Sequence, residues 1–182
     1  MRRLAAATSV LIGLFCLSEV LWVGYLWAGV DPSKSSGVLV ISLALVQVTA
    51  GVSFVWWTQD ARHNVATAHH RYHRAWIWWG WLVPVVWFWI PKRIIDDIWR
   101  ASDPTGSRRL VTWWWTAWIV LYLPPVVDLV FESNRPGDLT GIAWINTAGL
   151  VIMIVAAVLA IKVVWRITAM QTARSEAPAP AV

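Results

Sequence analysis

Apolar runs long enough to cross a bilayer recur along this chain, at about 4–29, 38–58, 110–131 and 141–165. A hydrocarbon core of ~30 Å takes about 20 residues of helix to cross. No water inside it can satisfy a bare amide, so a spanning segment must bond its own backbone, and a helix does so alone. Turn chemistry separates the runs: Asp31-Pro32-Ser33-Lys34-Ser35-Ser36-Gly37, Asp103-Pro104-Thr105-Gly106 and Pro136-Gly137. The expected fold class is therefore all-α, an integral membrane protein with four transmembrane helices. Composition agrees, at 58 % hydrophobic and 14 % charged, against about 45–50 % and about 25 % in a soluble domain. A disordered chain and an ordinary soluble enzyme are excluded.

The single cysteine, Cys16, leaves no internal disulfide and no CxxC redox or zinc chemistry. It follows Phe15 inside the first apolar run and is read as a packing residue. That run follows Arg2-Arg3, but it exceeds the apolar stretch of a signal peptide and holds Glu19, so it reads as an uncleaved anchor.

Between the second and third runs the pattern changes. Gln59 to Arg74 has several Ala and no Gly or Pro, and is expected to carry the second helix on into water. Segment 75–91 is apolar but short, with seven aromatics and a central Pro84. Pro91 then opens a short amphipathic helix over 91–102. Ile94, Ile95, Ile98 and Trp99 share one face. Lys92, Arg93, Asp96, Asp97 and Arg100 share the other, with i,i+4 pairs Lys92/Asp96, Arg93/Asp97 and Asp96/Arg100.

Charge decides whether 75–91 crosses. If it does not, and the N-terminus is cytoplasmic, thirteen basic residues lie inside against Lys34 and Arg135 outside. If it does, the split becomes six inside to nine outside. The first arrangement is the expected one: a re-entrant or interfacial Trp/Pro-rich segment, a cytoplasmic amphipathic helix and both termini in the cytoplasm of a bacterial inner-membrane protein. Residues 1–172 then form one transmembrane domain, and 173–182 a disordered cytoplasmic tail.

Several constellations could carry chemistry. Glu19, Gln47, Asp128 and Asn146 fall in the outer half of their spans, by helical rise from the cytoplasmic side. A charge in the membrane interior is costly, so such groups face one another or a cavity. They define either a small polar pathway, as in a transporter or channel-like oligomer, or hydrogen bonding between helices. His63, His69, His70 and His73 crowd one stretch, and His69/His73 have an i,i+4 ligand spacing. No Cys, Asp or Glu completes a site within that run, so no metal and no cofactor is expected. No Walker loop, GxGxxG, GxSxG or HExxH is present, and the protein reads as non-enzymatic.

The chain has 17 Trp. Most cluster near the cytoplasmic ends of the runs, where an apolar ring with a polar N–H suits an interfacial belt. Alternatively they line a groove for a lipid chain or a partner helix, with Arg62, Arg71, Arg93 and Arg100 contacting headgroups. The basic surplus is attributed to topology and anionic lipid, not nucleic acid.

One string stands out: Trp57 with Arg62 and Asn64, then Trp81-Leu82-Val83-Pro84 and Trp89-Ile90-Pro91, then Ile94-Ile95-Asp96-Asp97-Ile98-Trp99-Arg100-Ala101-Ser102, then Trp113-Trp114. Over roughly residues 50–165 the chain resembles a family of bacterial membrane proteins known as domain of unknown function (DUF) 4328. The resemblance implies a domain of four or more spans and brings no activity or cofactor. It marks Asn64, Pro84, Pro91, Trp99, Arg100 and Ser102 as motif residues. Physically, Arg100 and Ser102 are expected to satisfy backbone groups freed by the break at Pro84. The functional expectation is a cytoplasmic basic/aromatic layer that docks anionic lipid or a partner protein, with a homo-oligomer as a further way to assemble.

Overall fold

The computed structural model describes residues 1–31, 35–65, 70–122 and 139–176. All regular structure among them is helical: α1 (Arg2–Trp27), α2 (Gly37–His63), α3 (Trp76–Leu82), a 3-10 turn (Val86–Phe88), α4 (Ile90–Ser102), α5 (Arg109–Val120) and α6 (Leu139–Glu176). Three helices are long and apolar enough to cross a membrane: Arg2–Trp27, Gly37–His63 and Thr140–Glu176. The third expected span begins as α5. Its remainder, with Pro124, Pro125 and Asp128, lies outside the described residues.

The start of α1 and the ends of α2 and α6 share one end of the bundle. The terminal amine of Met1 is 3.9 Å from Asp60, and Arg2 is 3.7 Å from Glu176. At the other end the Trp27 indole donates to Thr147 Oγ1 at 2.9 Å and meets the Trp144 ring edge-on. About a quarter of the way along α1 from its start, the Thr8 and Ser53 hydroxyls bond at 2.8 Å and pin α1 to α2. The outward faces of α1 and α2 carry exposed Val10, Leu17, Leu21, Ile41, Leu45 and Val48. An apolar surface of that extent belongs against lipid rather than water.

Both long-helix boundaries differ from the sequence expectation. Ser36 caps α2 by accepting the Leu39 N–H at 3.2 Å. At its other end α2 stops at His63 instead of running on to Arg74. Arg62 is buried and donates to the Tyr72 carbonyl. Had α2 continued, Tyr72 would lie roughly 15 Å further along the axis, at 1.5 Å per residue. In α6 the helix runs through Glu176, past the point where a disordered tail was expected to begin at 173. Buried Gln171 and a bond from the Arg174 guanidinium to the Ala101 carbonyl hold that last stretch.

Segment 75–91 is broken where Pro84 predicts. Val83, before the proline, is extended at φ −85° and ψ 116°. Val85 follows at φ 72° and ψ −57°, and the Val86 N–H donates to the Pro84 carbonyl at 2.9 Å. This is a γ-turn of the rare positive-φ kind, strained for any β-branched residue. Val85 is exposed, so its side chain contributes little packing. Val85→Gly is expected to stabilise the protein by ~1 kcal/mol, a rise of a few degrees in Tm. Thermal unfolding in detergent micelles measures it; an unchanged midpoint would mean the turn stores no strain.

Pro91 lies in the first turn of α4, as predicted. The next turns differ from expectation. Ile94, Ile95, Ile98 and Trp99 are buried, but so are Asp96 and Asp97. Lys92 pairs with Asp96 at 2.7 Å as expected. Asp97 instead takes Arg71, at 3.4 Å from Nε and 3.2 Å from the backbone N. Arg93 turns to the Tyr72 hydroxyl at 2.9 Å. The helix is thus enclosed on two sides, because the chain returning from α2 covers its polar face. Close packing on α3 completes the enclosure, since a Cβ on Gly80 would come within 2.8 Å of Ile90 Cγ2.

Candidate functional site

Two of the motif residues, Asn64 and Ser102, converge on one buried side chain. Gln171, on α6, donates from Nε2 to the Ala61 carbonyl and to Ser102 Oγ, both at 2.9 Å. Its Oε1 accepts from Asn64 Nδ2 at 3.2 Å. Ser102 in turn donates to the Ile98 carbonyl. The C-terminal ends of α2 and α4 are thereby tied to α6 through an amide that can donate twice and accept at once. Asn64 and Ser102 were marked from sequence; Gln171 was not. A signal was present, because Val164, Thr168 and Gln171 follow at i, i+4, i+7 and all three are buried.

The other candidates sort by position. Arg62, Arg71 and Arg93 are occupied by Tyr72 and Asp97 contacts within the protein. Arg100 is exposed. Trp99 is buried, and its indole N–H has no partner among the described residues. Pro84 and Pro91 act on the backbone, as described. Arg100 and Ser102 do not satisfy groups freed by the proline break: Ser102 serves Gln171 and Ile98, whereas the Phe88 carbonyl accepts the Trp115 indole N–H at 3.0 Å. The reason is direction, because α4 carries its C-terminal end away from that break.

The candidate outer polar layer is not joined by hydrogen bonds among the described residues. Asn146 donates to the Ile142 carbonyl one turn back, and Glu19 is half-buried without a partner there. Gln47 lines a cavity discussed next. Asp128 lies outside the described residues, as does His69. His70 Nε2 is 3.1 Å from the Val65 carbonyl oxygen, and His73 Nδ1 accepts the Ala75 N–H. No group of three or more metal-ligating side chains forms among the described residues.

The tryptophans divide into two populations. Trp56, Trp79, Trp113, Trp144 and Trp165 are exposed, as a belt requires, whereas Trp57, Trp99, Trp114 and Trp115 are core. Between them lies an apolar cavity of about 370 Å³ walled by α1, α2, α5, α6 and the aromatic segment. Trp78, Trp81, Trp87, Trp114, Trp118 and Tyr122 supply its aromatic wall. Trp81 meets the edges of Phe54, Trp115 and Trp118 at 5.8–6.1 Å. Such edge-to-face packing fixes the rings as a rigid surface. Ile12 lies on its α1 wall, about 15 Å along the axis from Arg2 at 1.5 Å per residue, so the cavity sits well inside the length of that helix.

The class these features define is an all-helical protein, among its described residues, built on three helices fit to cross a membrane, with a Trp-lined apolar cavity between them. The chain belongs to the DUF4328 family (Domain of unknown function), whose family model matches residues 30–169. No curated protein and no solved structure matches it.

Proposed function

We propose that the protein is a non-enzymatic lipid-binding protein of the bacterial inner membrane, seating one hydrocarbon chain in the aromatic cavity while its basic end meets anionic headgroups at the cytoplasmic face. The cavity carries this reading. Water gains little there, since a water needs two to four polar partners and the lining offers little beyond Gln47 and the Tyr122 hydroxyl. Hydrocarbon is the solvent at that depth, and packed aromatic walls attract it by dispersion. A lipid is therefore favoured over a partner protein as the main ligand.

The same reading includes α5 as the start of a fourth span and segment 75–91 as a re-entrant loop. Two observations support the loop. Trp78 donates to Gln59 at 3.1 Å and Trp81 reaches Phe54, so α3 descends beside the last turns of α2. The chain then returns, because Ser102 meets Gln171 beside Ala61. The stretch from Trp76 to Ser102 thus starts and finishes at the same end of the bundle, which also holds the Met1 and Glu176 contacts.

Gly51 offers a clean test, because it lines the cavity and a Cβ there meets nothing within 4 Å. Gly51→Phe is expected to fill the space without moving the backbone. Native mass spectrometry of the full chain, exchanged from phosphatidylcholine into detergent, should show one retained lipid per wild-type chain. Retention should fall about tenfold in the variant, the equivalent of ~1.4 kcal/mol. Equal retention in both, or none in the wild type, would overturn the chain site.

A further inference from the structure

Two side chains of the aromatic cavity stand apart from the rest. Gln47 and Tyr122 line it, and neither side chain makes a hydrogen bond among the described residues. They fall at one level of the bundle. Phe54 on α2 meets Trp114 on α5 at 5.5 Å, and α5 sets out from the Ser102 end, where α2 finishes. Gln47 lies before Phe54 and Tyr122 after Trp114, so both sit about 10–12 Å from that contact towards the far end, at 1.5 Å per residue. The Tyr122 ring is held by the Trp87 and Trp118 rings at 4.6 and 5.6 Å. A bare amide and a bare hydroxyl in an apolar cavity lack the partners that water would supply.

The remaining lining sets shape and charge. Ala50 and Gly51 on α2, and Ala156, Ala157 and Ala160 on α6, bring short side chains to a space whose other walls are flat rings. A Cβ on Gly51 would meet nothing within 4 Å, so that wall stands clear of the rings. No charged side chain lines the cavity among the described residues, and a phosphate or carboxylate would find no counter-charge there. At ~30 Å³ for a water-sized group, the 370 Å³ holds roughly a dozen non-hydrogen atoms.

We infer that this cavity is the head site for an isoprenoid quinone. The flat, uncharged ring lies against the tryptophan wall, where offset or edge-on contact with the rings is favourable. The Gln47 amide and the Tyr122 hydroxyl donate to its carbonyl oxygens, which can only accept. Gln47 is also exposed, so the cavity opens beside it and the tail leaves there into lipid. A long-chain alcohol shares the tail and a neutral oxygen, but it has no flat face for the rings and no pair of acceptors for the two donors. The inference rests on reading the cavity as a lipid-chain site, and it names the lipid.

The test starts from the full chain carrying phosphatidylcholine in detergent micelles and titrates two competitors, with binding read by native mass spectrometry. One is a naphthoquinone with a four-isoprene tail; the other is the four-isoprene alcohol, with the same tail and no ring. The quinone should displace phosphatidylcholine one for one, at about a tenth of the alcohol concentration, as ring contact plus one further hydrogen bond warrant. Gln47→Leu and Tyr122→Phe nearly keep the volume and remove a donor. Each should cut the preference for quinone over phosphatidylcholine about fivefold, the worth of one hydrogen bond. Gly51→Phe should lose both ligands together. If phosphatidylcholine is retained but the quinone displaces it no better than the alcohol does, the quinone assignment falls and the chain site stands. The same follows if neither Gln47→Leu nor Tyr122→Phe lowers the preference. A wild-type chain that holds neither ligand would overturn both readings.

Discussion

Gln171→Leu is expected to destabilise the protein by about 2–4 kcal/mol, although leucine nearly matches the volume and is the better residue for a membrane helix. The side chain fills the same space, so the loss reads the hydrogen bonds rather than a void. Without Gln171, the Ala61 carbonyl loses its donor, and Asn64 and Ser102 each lose a buried partner. Hydrogen bonds between helices deep in lipid average only ~0.6 kcal/mol, because the separated helices find other partners there. Here the loss acts in the folded state, where the buried Ala61 carbonyl would be left without its donor, a cost of about 1–3 kcal/mol on top of the lost bonds, so the larger figure should win. Thermal unfolding in micelles should drop by roughly 5–10 °C. Thr172→Val is the control, since its hydroxyl bonds only the Thr168 carbonyl of its own helix, and it should shift by under ~1 kcal/mol. Asn64→Ala and Ser102→Ala should combine less than additively, because both act through Gln171. A Gln171→Leu midpoint within a degree of the wild type would remove the network from any structural role.

How much of this was legible in the sequence follows from what each signal depends on. The spanning helices were read from composition and length, which act locally and need no partner. Pro84 and Pro91 were equally local, since one breaks a helix and the other suits its first turn. The γ-turn at Val85 was not legible, because nothing in a β-branched residue announces a positive φ. The charges on α4 were read as a solvated face. That reading assumed water where the chain from Arg71 to Tyr72 actually lies, and the return of that chain is tertiary information. Asp97 therefore changed partner from Arg93 to Arg71. Asn64 and Ser102 were recognisable as motif residues, but their purpose required Gln171, 69 residues beyond Ser102. The aromatic cavity had the same character. Its Trp residues were visible as a cluster, while their division into belt and wall depended on which face each helix turned inward.

That division gives the second large effect, in the adjacent pair Trp56 and Trp57. By composition and place in the chain the two read alike as belt residues, although the family string holds only Trp57. In the fold Trp56 is 58 % exposed and Trp57 is 0 % exposed. Trp57 packs on Phe54 at 5.5 Å and donates from its indole to Thr168 Oγ1 at 3.2 Å, joining α2 to α6. Trp57→Ala should therefore cost about 3–5 kcal/mol, the range for emptying a buried aromatic site. The hydrophobic part of that figure shrinks where the unfolded reference is also in lipid, but the lost dispersion contacts and the empty volume remain. Trp57→Phe keeps most of the packing and removes only the donor, so about 1–2 kcal/mol is expected. Trp56→Ala should stay within ~0.5 kcal/mol. The ordering Trp57→Ala, then Trp57→Phe, then Trp56→Ala, read from midpoints in the same micelles, is what a packed α2–α6 contact demands. Equal shifts for Trp56→Ala and Trp57→Ala would return both rings to the belt and remove the α2–α6 contact.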